Sequence, residues 1–186
     1  MDEVIRTERL LLRPLRATDA EALFALFALF NDWQVVRWLS SPPWPYALDD
    51  AVDFIQPRAT RKPAETNFAI ALDGSLVGGI GMRMKDAGHL QVGPGPNLGY
   101  WIGQPYWGRG YMTEAARGIV AHAFVSGVSE TIYSGAFADN AASLRVQEKL
   151  GFVRAGKTTL FAKPRGAEFP HVNTELTRDA FEACRK

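Results

Sequence analysis

The chain has 186 residues, 47% hydrophobic and 22% charged, with a formal net charge of +1. That length can bury a core without staples, and the charge offers no broad basic face for nucleic acid or an acidic membrane. Cys184 is the only cysteine, so no internal disulfide can form, and neither C-x-x-C nor H-E-x-x-H occurs, so no metal is expected. The N-terminus, MDEVIRTERL, is charged where a signal peptide needs an apolar run, and the longest apolar run, Ala22–Phe30, is too short to span a bilayer. The expectation is one cytoplasmic domain over residues 1–186, with no membrane or nucleic-acid partner.

Arg9–Leu15 reads as a first strand, closed by Pro14. Thr18-Asp19-Ala20-Glu21 matches a capping box before an apolar run, which predicts a helix from Asp19 to about Asn31. Ala-Leu-Phe repeats three times there, so Phe24, Phe27 and Phe30 drift around the helix and leave two apolar faces. One face packs the core; the second either does the same or lines a substrate cleft or a dimer contact. Asp32–Leu39 extends a short helix, Ser40–Tyr46 (SSPPWPY) is a rigid aromatic loop, and Leu48–Arg61 is helical again. From Thr66 the period becomes two, with Asp73-Gly74 as a hairpin turn and a glycine-rich return strand, Leu76–Met84. Gly78, Gly79 and Gly81 imply that something approaches that backbone closely. Lys85–Asn97 reads as a loop or a distorted strand start.

Leu98–Ala116 reads as a strand (Leu98–Gly103), a Gly/Pro turn (Gln104–Gly110) and a helix from Tyr111 to about Val125. The buried face of that helix is predicted at Ala115, Ile119, Val120, Ala123 and Phe124, with Gly127 as its stop. Thr131–Phe137 is a strand, Asp139-Asn140 caps a helix over Ala141–Leu150, and Gly151 ends it. Phe152–Phe161 and Val172–Leu176 are strands joined by Lys163–Pro170, and Asp179–Arg185 is a terminal helix.

Glycines at a strand-to-helix turn let a ligand approach the backbone, and the helix start offers unpaired N–H groups to an anion. The turn Tyr106-Trp107-Gly108-Arg109-Gly110-Tyr111 has this equipment. A second motif follows one helix and one strand later: Asn140-Ala141-Ala142-Ser143, in a helix ending Glu148-Lys149-Leu150-Gly151-Phe152. With TERLLLRPLRATDAEAL at the start and the Asp73-Gly74 hairpin, these blocks resemble the GNAT superfamily of N-acetyltransferases. Within it they are most similar to the branch of ribosomal-protein N-terminal acetyltransferases. A P-loop is absent, and the G-x-G lacks the third glycine of a dinucleotide site.

The resemblance implies an α+β fold: a mixed, mainly antiparallel sheet of about seven strands flanked by helices. Strands four and five, here Leu98–Gly103 and Thr131–Phe137, would splay into a slot for acetyl-CoA. It implies that Tyr100–Gly103, with Trp101, Ile102 and Gly103, pair their backbone with the pantetheine arm. Trp107, Gly108, Arg109, Gly110, Tyr111, Met112 and Thr113 would surround the pyrophosphate. Asn140 and Ser143 would lie near the thioester. Many relatives carry a tyrosine acid where this chain has Gln147; in the ribosomal branch a serine at the position of Ser143 is proposed for that role. Relatives also carry Gln, Arg or Glu where this chain has Pro105, which lacks an N–H and stiffens the turn.

The implied activity is transfer of an acetyl group to a primary amine, on a protein N-terminus or a small molecule. The N–H of Ile102 is the expected oxyanion donor. Glu168, His171 or water would take the amine proton. The alternative is a catalytically weak acyl-CoA-binding or regulatory module. The acceptor pocket is expected from the first helix, the SSPPWPY loop and Lys163–Pro170, in a monomer or homodimer.

Overall fold

A computed structural model describes residues 4–28, 33–59, 65–88, 90–91 and 93–184. One eight-stranded sheet runs in the order β1-β2-β3-β4-β5-β6-β8-β7. Its strands are β1 (Ile5–Arg6), β2 (Leu11–Pro14), β3 (Glu65–Leu72), β4 (Ser75–Lys85), β5 (Gly95–Ile102), β6 (Thr131–Phe137), β7 (Val153–Ala162) and β8 (Ala167–Thr177). The helices are α1 (Asp19–Ala28), α2 (Trp33–Val36), α3 (Leu48–Ala59), α4 (Tyr111–Val125), α5 (Ala141–Glu148) and α6 (Arg178–Ala183). All neighbouring strands pair antiparallel except β5 and β6.

Alternation along the strands gives the sheet two apolar faces. Leu12, Ile70, Ile132 and Leu176 pack with Ile119, Val120 and Phe124 of α4 and Phe181 of α6. Ala115, Ile119, Val120, Ala123 and Phe124 are all buried, as the periodicity of α4 requires. On the other face Ala69 and Leu76 pack with Leu23, Val36, Ala51 and Ile55 from α1, α2 and α3. Each fully buried Ile or Phe contributes on the order of 2 kcal/mol, so both layers hold the sheet.

The boundaries of α4 and β6 fall where the pattern puts them. Four expectations change. β1 is additional: it pairs Ile5 with Leu12, and Gly118 on α4 leaves room for Thr7 beside it. β5 begins at Gly95 instead of Leu98, because Gly95–Asn97 continue the ladder to Lys85–Arg83. α5 ends at Glu148, with Gly151 at φ +96° just beyond. Lys163–Pro170 is not a loop: Lys163–Arg165 make one tight turn closed by Gly166 at φ +66°, and Ala167–Pro170 pair with Thr159–Ala162. Phe27 and Phe30 fall outside the side chains described. Leu23 of α1 is buried.

The feature that positions the site is the change of pairing across β5. Its β4 edge carries eight consecutive register pairs, Gly95 through Ile102. Its β6 edge carries one, Asn97 with Tyr133. The strands therefore part beyond Asn97 and open a V toward the end of β5.

Candidate active site

Gly103 donates its N–H to Val77 O at 2.9 Å, which sets the parity of the β4–β5 ladder. Gly103, Trp101 and Gly99 thus aim their backbone groups at β4, and Ile102 and Tyr100 aim theirs into the V. Ser134 Oγ, on β6, donates to Leu98 O at 2.9 Å, consistent with that parity. Inside the V, Trp107 Nε1 donates to Ile102 O at 2.8 Å. The Ile102 N–H remains directed into the gap. Of the strand residues expected at the pantetheine, Ile102 and Tyr100 have the required direction, whereas the backbones of Trp101 and Gly103 face β4.

The turn after β5 is built from backbone. Gln104–Tyr106 form a 3-10 turn with Pro105 in its first residues, where a missing N–H costs nothing. Tyr106 N donates to Gly103 O and Trp107 N to Gln104 O, so the Trp107 N–H is spent within the turn. Gly108 and Gly110 then adopt φ +72° and +79°, a region that favours glycine. Gly110 is the N-cap of α4 and offers no capping side chain. Glu114 N to Gly110 O is the first bond of the helix, at 3.0 Å. The N–H groups of Tyr111, Met112 and Thr113 therefore precede its ladder, where the helix dipole is positive. A Cβ on Gly108 would meet open space, so the cradle has room for a ligand at that point. Arg109 is exposed beside it.

A support that the sequence did not reveal holds this turn. Glu114 on α4 accepts from Thr7 Oγ1 at 2.6 Å and from Arg9 N and Nε at 2.7 Å each. Arg9 Nη1 donates to Arg109 O at 3.1 Å, and its guanidinium lies over the Tyr111 ring. Burial pushes the Glu114 carboxyl up, but Thr7 and Arg9 outweigh it and hold the group below its usual range. The N-terminal hairpin is thus an ionic clamp on the helix start.

Across the V, Asn140 caps α5: its Oδ1 accepts from Ser143 N at 3.1 Å. Ser143 Oγ lies 3.0 Å from the Tyr100 hydroxyl, which also donates to Ser143 O at 3.1 Å. Gln147 sits behind them. Its Nε2 donates to Gly135 O at 3.3 Å, and its Oε1 accepts from Thr174 Oγ1 at 2.7 Å. Burial holds the Tyr100 phenol above its usual value, so it stays neutral and can donate. The position where relatives carry a tyrosine is filled by Gln147, and a tyrosine hydroxyl reaches the same helix from β5. The partners are 43 residues apart, so no local motif announces them.

On the opposite sheet face lies a cavity of about 450 Å³. Leu15, Leu23, Tyr46 and Phe54 wall it, Ser40–Pro43 cover it, and Trp101 stands at one end of its floor. The Trp101 indole lies over Gly79, where an added Cβ would come within 2.6 Å of Nε1; this is what the glycines of β4 accommodate. The expected contributions of the first helix and the SSPPWPY loop are present. Lys163–Pro170 does not line the cavity; it props the covering loop through Lys163 N to Ser40 O at 3.0 Å. Arg165 sits behind, bonded to Asp139 at 2.9 Å and stacked on Phe169.

His171 is buried on the same face of β8 as Asn173, and its Nδ1 is 2.9 Å from Asn173 Oδ1. Gly135 makes room for its ring, since an added Cβ there would collide with Cε1. Glu168, three residues earlier, projects from the other face of the strand, where it is exposed and meets Thr159. His122, on α4, is distant from this cluster in the fold. Among the described residues, no three His, Cys, Asp or Glu side chains gather as a metal site. No helix of the described residues is long and apolar enough to cross a membrane.

Residues 9–153 match the family described as "Acetyltransferase (GNAT) domain". The chain is 31% identical over 153 residues to a Bacillus subtilis protein named "Putative ribosomal N-acetyltransferase YdaF", covering 81% of each. Its fold is similar to that of the microcin self-immunity acetyltransferase MccE, a complex with acetyl-CoA and AMP, with TM-score 0.78, 18% identity, and coverage of 91% of this chain and 93% of that one. It is likewise similar to Mycobacterium smegmatis RimJ, a complex with a CoA disulfide, with TM-score 0.75, 22% identity, and coverage of 96% and 87%. A strand pair that parts beside a glycine-built helix start, with a family match over most of the chain, leaves one assignment: this protein belongs to the GNAT family and is an N-acetyltransferase.

Proposed function

We propose that the whole chain is one acetyltransferase domain that moves an acetyl group from acetyl-CoA to a primary amine, on a peptide N-terminus or a small molecule. The observation that carries this reading is the V beside the glycine turn: β5 leaves β6 after Asn97, α4 begins at its Gly110 cap with the N–H groups of Tyr111–Thr113 ahead of its ladder, and a separate aromatic cavity lies on the other sheet face. These residues fit the cosubstrate. Gly108, Gly110, Tyr111, Met112 and Thr113 would hold the pyrophosphate, with Arg109 adding charge. Tyr100 and Ile102 would pair with the pantetheine amides. Trp107 shapes the end of the slot through its bond to Ile102 O.

Acetyl-CoA supplies an activated thioester carbonyl. The chain supplies three things to the reaction. The Ile102 N–H donates to the carbonyl oxygen as it gains charge. Ser143 Oγ, held by the Tyr100 hydroxyl and by the start of α5, gives the departing sulfur a proton and regains one from water, to which the proton taken from the amine is released; Tyr100 is a positioning residue for it. Asn140 fixes the turn on which Ser143 stands. His171 shares its sheet face with the cavity, so we assign it, not Glu168, the proton of the incoming amine. With Asn173 Oδ1 as acceptor, His171 Nδ1 carries the hydrogen and Nε2 is the basic nitrogen.

The reading includes a cytoplasmic enzyme, monomeric or homodimeric, without nucleic-acid or membrane partners; the near-neutral charge supports the last point. The test is thiol release from acetyl-CoA with a panel of peptide and small-molecule amines. Amine-dependent release is expected. Tight CoA binding with no release on any amine would replace this reading with the acyl-CoA-binding module.

A further inference from the structure

Arg165 is a buried cation that the reaction as described leaves without a task. It stands in the tight turn Lys163–Arg165 between β7 and β8, and its side chain is 6% exposed. Its guanidinium carbon lies 3.5 Å from the centre of the Phe169 ring, 4.4 Å from Phe137 and 5.8 Å from Trp38. Trp38 also carries the guanidinium of Arg37, at 4.5 Å. Phe169 comes from β8, Phe137 from the end of β6, and Trp38 from the segment between α2 and the covering loop. The turn is tied to that loop a second time, through Lys163 N to Ser40 O at 3.0 Å.

This aromatic box leaves Arg165 half satisfied. Nη1 donates to Asp139 Oδ2 at 2.9 Å. Nε and Nη2 are buried and have no hydrogen-bond partner among the described residues. Arg178 shows what the same edge does when it is served: its Nε and Nη2 donate to the two oxygens of Glu130, at 2.8 and 3.0 Å. Ring faces attract a cation, but they do not replace lost hydrogen bonds. An unbranched apolar side chain would fill the box without orphaned donors, so packing does not account for an arginine here. What an apolar side chain cannot supply is the bond to Asp139.

Asp139 is the residue before the cap of α5. Its carboxylate is half-exposed, and Arg165 pins it from the protein side. Asn140 N returns to Phe137 O at 2.9 Å, Asn140 Oδ1 accepts from Ser143 N at 3.1 Å, and Ser143 Oγ stands 3.0 Å from the Tyr100 hydroxyl. We propose that Arg165 is a positioning residue for Ser143: it pins Asp139 and, through the Asn140 cap, sets where the Ser143 hydroxyl stands against the departing sulfur. Its role rests on the acetyl-transfer reading, which gives Ser143 its task. Because the same turn holds Ser40, one piece of chain braces both the loop over the acceptor cavity and the start of α5.

The experiment uses the fastest amine of the peptide and small-molecule panel. It compares kcat, CoA affinity and thermal midpoint in the wild type, Arg165→Met, Asp139→Ala, Ser143→Ala and the Arg165→Met/Ser143→Ala double variant. Arg165→Met should lower kcat by about tenfold, inside the roughly hundredfold that a misplacement of ~1 Å can cost, with CoA affinity and thermal midpoint held. Asp139→Ala should lower kcat in the same way. In the Ser143→Ala background, Arg165→Met should cost less than about twofold more, because the group it positions is gone. Should Arg165→Met lower the thermal midpoint, Asp139→Ala decides, since its half-exposed side chain is not part of the core. Wild-type kcat in Asp139→Ala or in a stable Arg165→Met, or the full tenfold loss repeated in the Ser143→Ala background, overturns the inference and leaves the acetyl-transfer reading standing. Wild-type kcat in Ser143→Ala removes Ser143 from the reaction and this inference with it. No acetylation of any amine overturns the reading itself.

Discussion

The glycine cradle after β5 and the aromatic cavity on one face of that strand are made of different things. The cradle is backbone: two left-handed glycines and a helix start contiguous from Gly108 to Thr113. The cavity is side chains gathered from α1, α3, the covering loop and three strands. A backbone site is specified by a few adjacent residues and tolerates little change in them. A side-chain site is specified by register and packing, and it can be reshaped one residue at a time. The first suits a cosubstrate shared across a family; the second suits an acceptor particular to one member.

The largest expected effect breaks the cradle alone. Gly108→Val forces a β-branched residue to φ +72° and puts methyl groups into open cradle space. At about 1–3 kcal/mol for such a conformation, CoA affinity should fall roughly tenfold to a hundredfold, read by calorimetry. Unchanged affinity would mean that the pyrophosphate lies elsewhere. The complementary change breaks the cavity alone. Gly99→Leu projects into open space on the acceptor face, so acceptor KM should rise by about tenfold with CoA affinity and thermal midpoint preserved. Parallel losses of CoA and acceptor binding would merge the two regions.

Ser143→Ala comes next. Turnover should fall by about a hundredfold, the low end for a lost proton donor, while CoA affinity stays. Tyr100→Phe should lower kcat by a smaller factor and leave KM for the acceptor unchanged, because it removes the partner that orients Ser143. Equal losses in affinity and turnover would make Ser143 a binding residue.

The sequence carried the two regions unequally. Gly108 and Gly110 were legible because only glycine adopts their backbone readily and because they adjoin a helix start. Ser143 was legible through the resemblance of Asn140-Ala141-Ala142-Ser143 to the family's second motif. The Tyr100–Ser143 contact joins residues 43 apart, so local pattern says nothing of it. Gly81 opposite Gly99 exists only once β4 and β5 are in register. The same holds for the Arg9–Glu114 clamp, 105 residues apart. Lys163–Pro170 was misread because Ala167–Phe169 reach beyond the end of β6 and pair with β7 alone, which leaves their apolar alternation weak.

The smallest expected effect concerns pH. Burial pushes Asp19 up, but Arg13 and the Arg16 N–H outweigh it and hold it low, as Thr7 and Arg9 do for Glu114. Both folded pKa values lie below the unfolded ones, so the linked stability is fully present above about pH 4.5, the ordinary range of Glu. It is lost as pH falls through the depressed folded values. Chemical denaturation from pH 7 to pH 3 should show that loss, and Glu114→Gln should flatten part of it. A wild-type curve with no decline below pH 4.5 would remove both carboxylates from the account.

The most direct test of acetyl transfer is mass spectrometry of a peptide library incubated with the protein and acetyl-CoA. The account predicts one acetyl group gained at the N-terminal amine, abolished by Gly108→Val. Tight CoA binding with no acetylated product from any amine would contradict it.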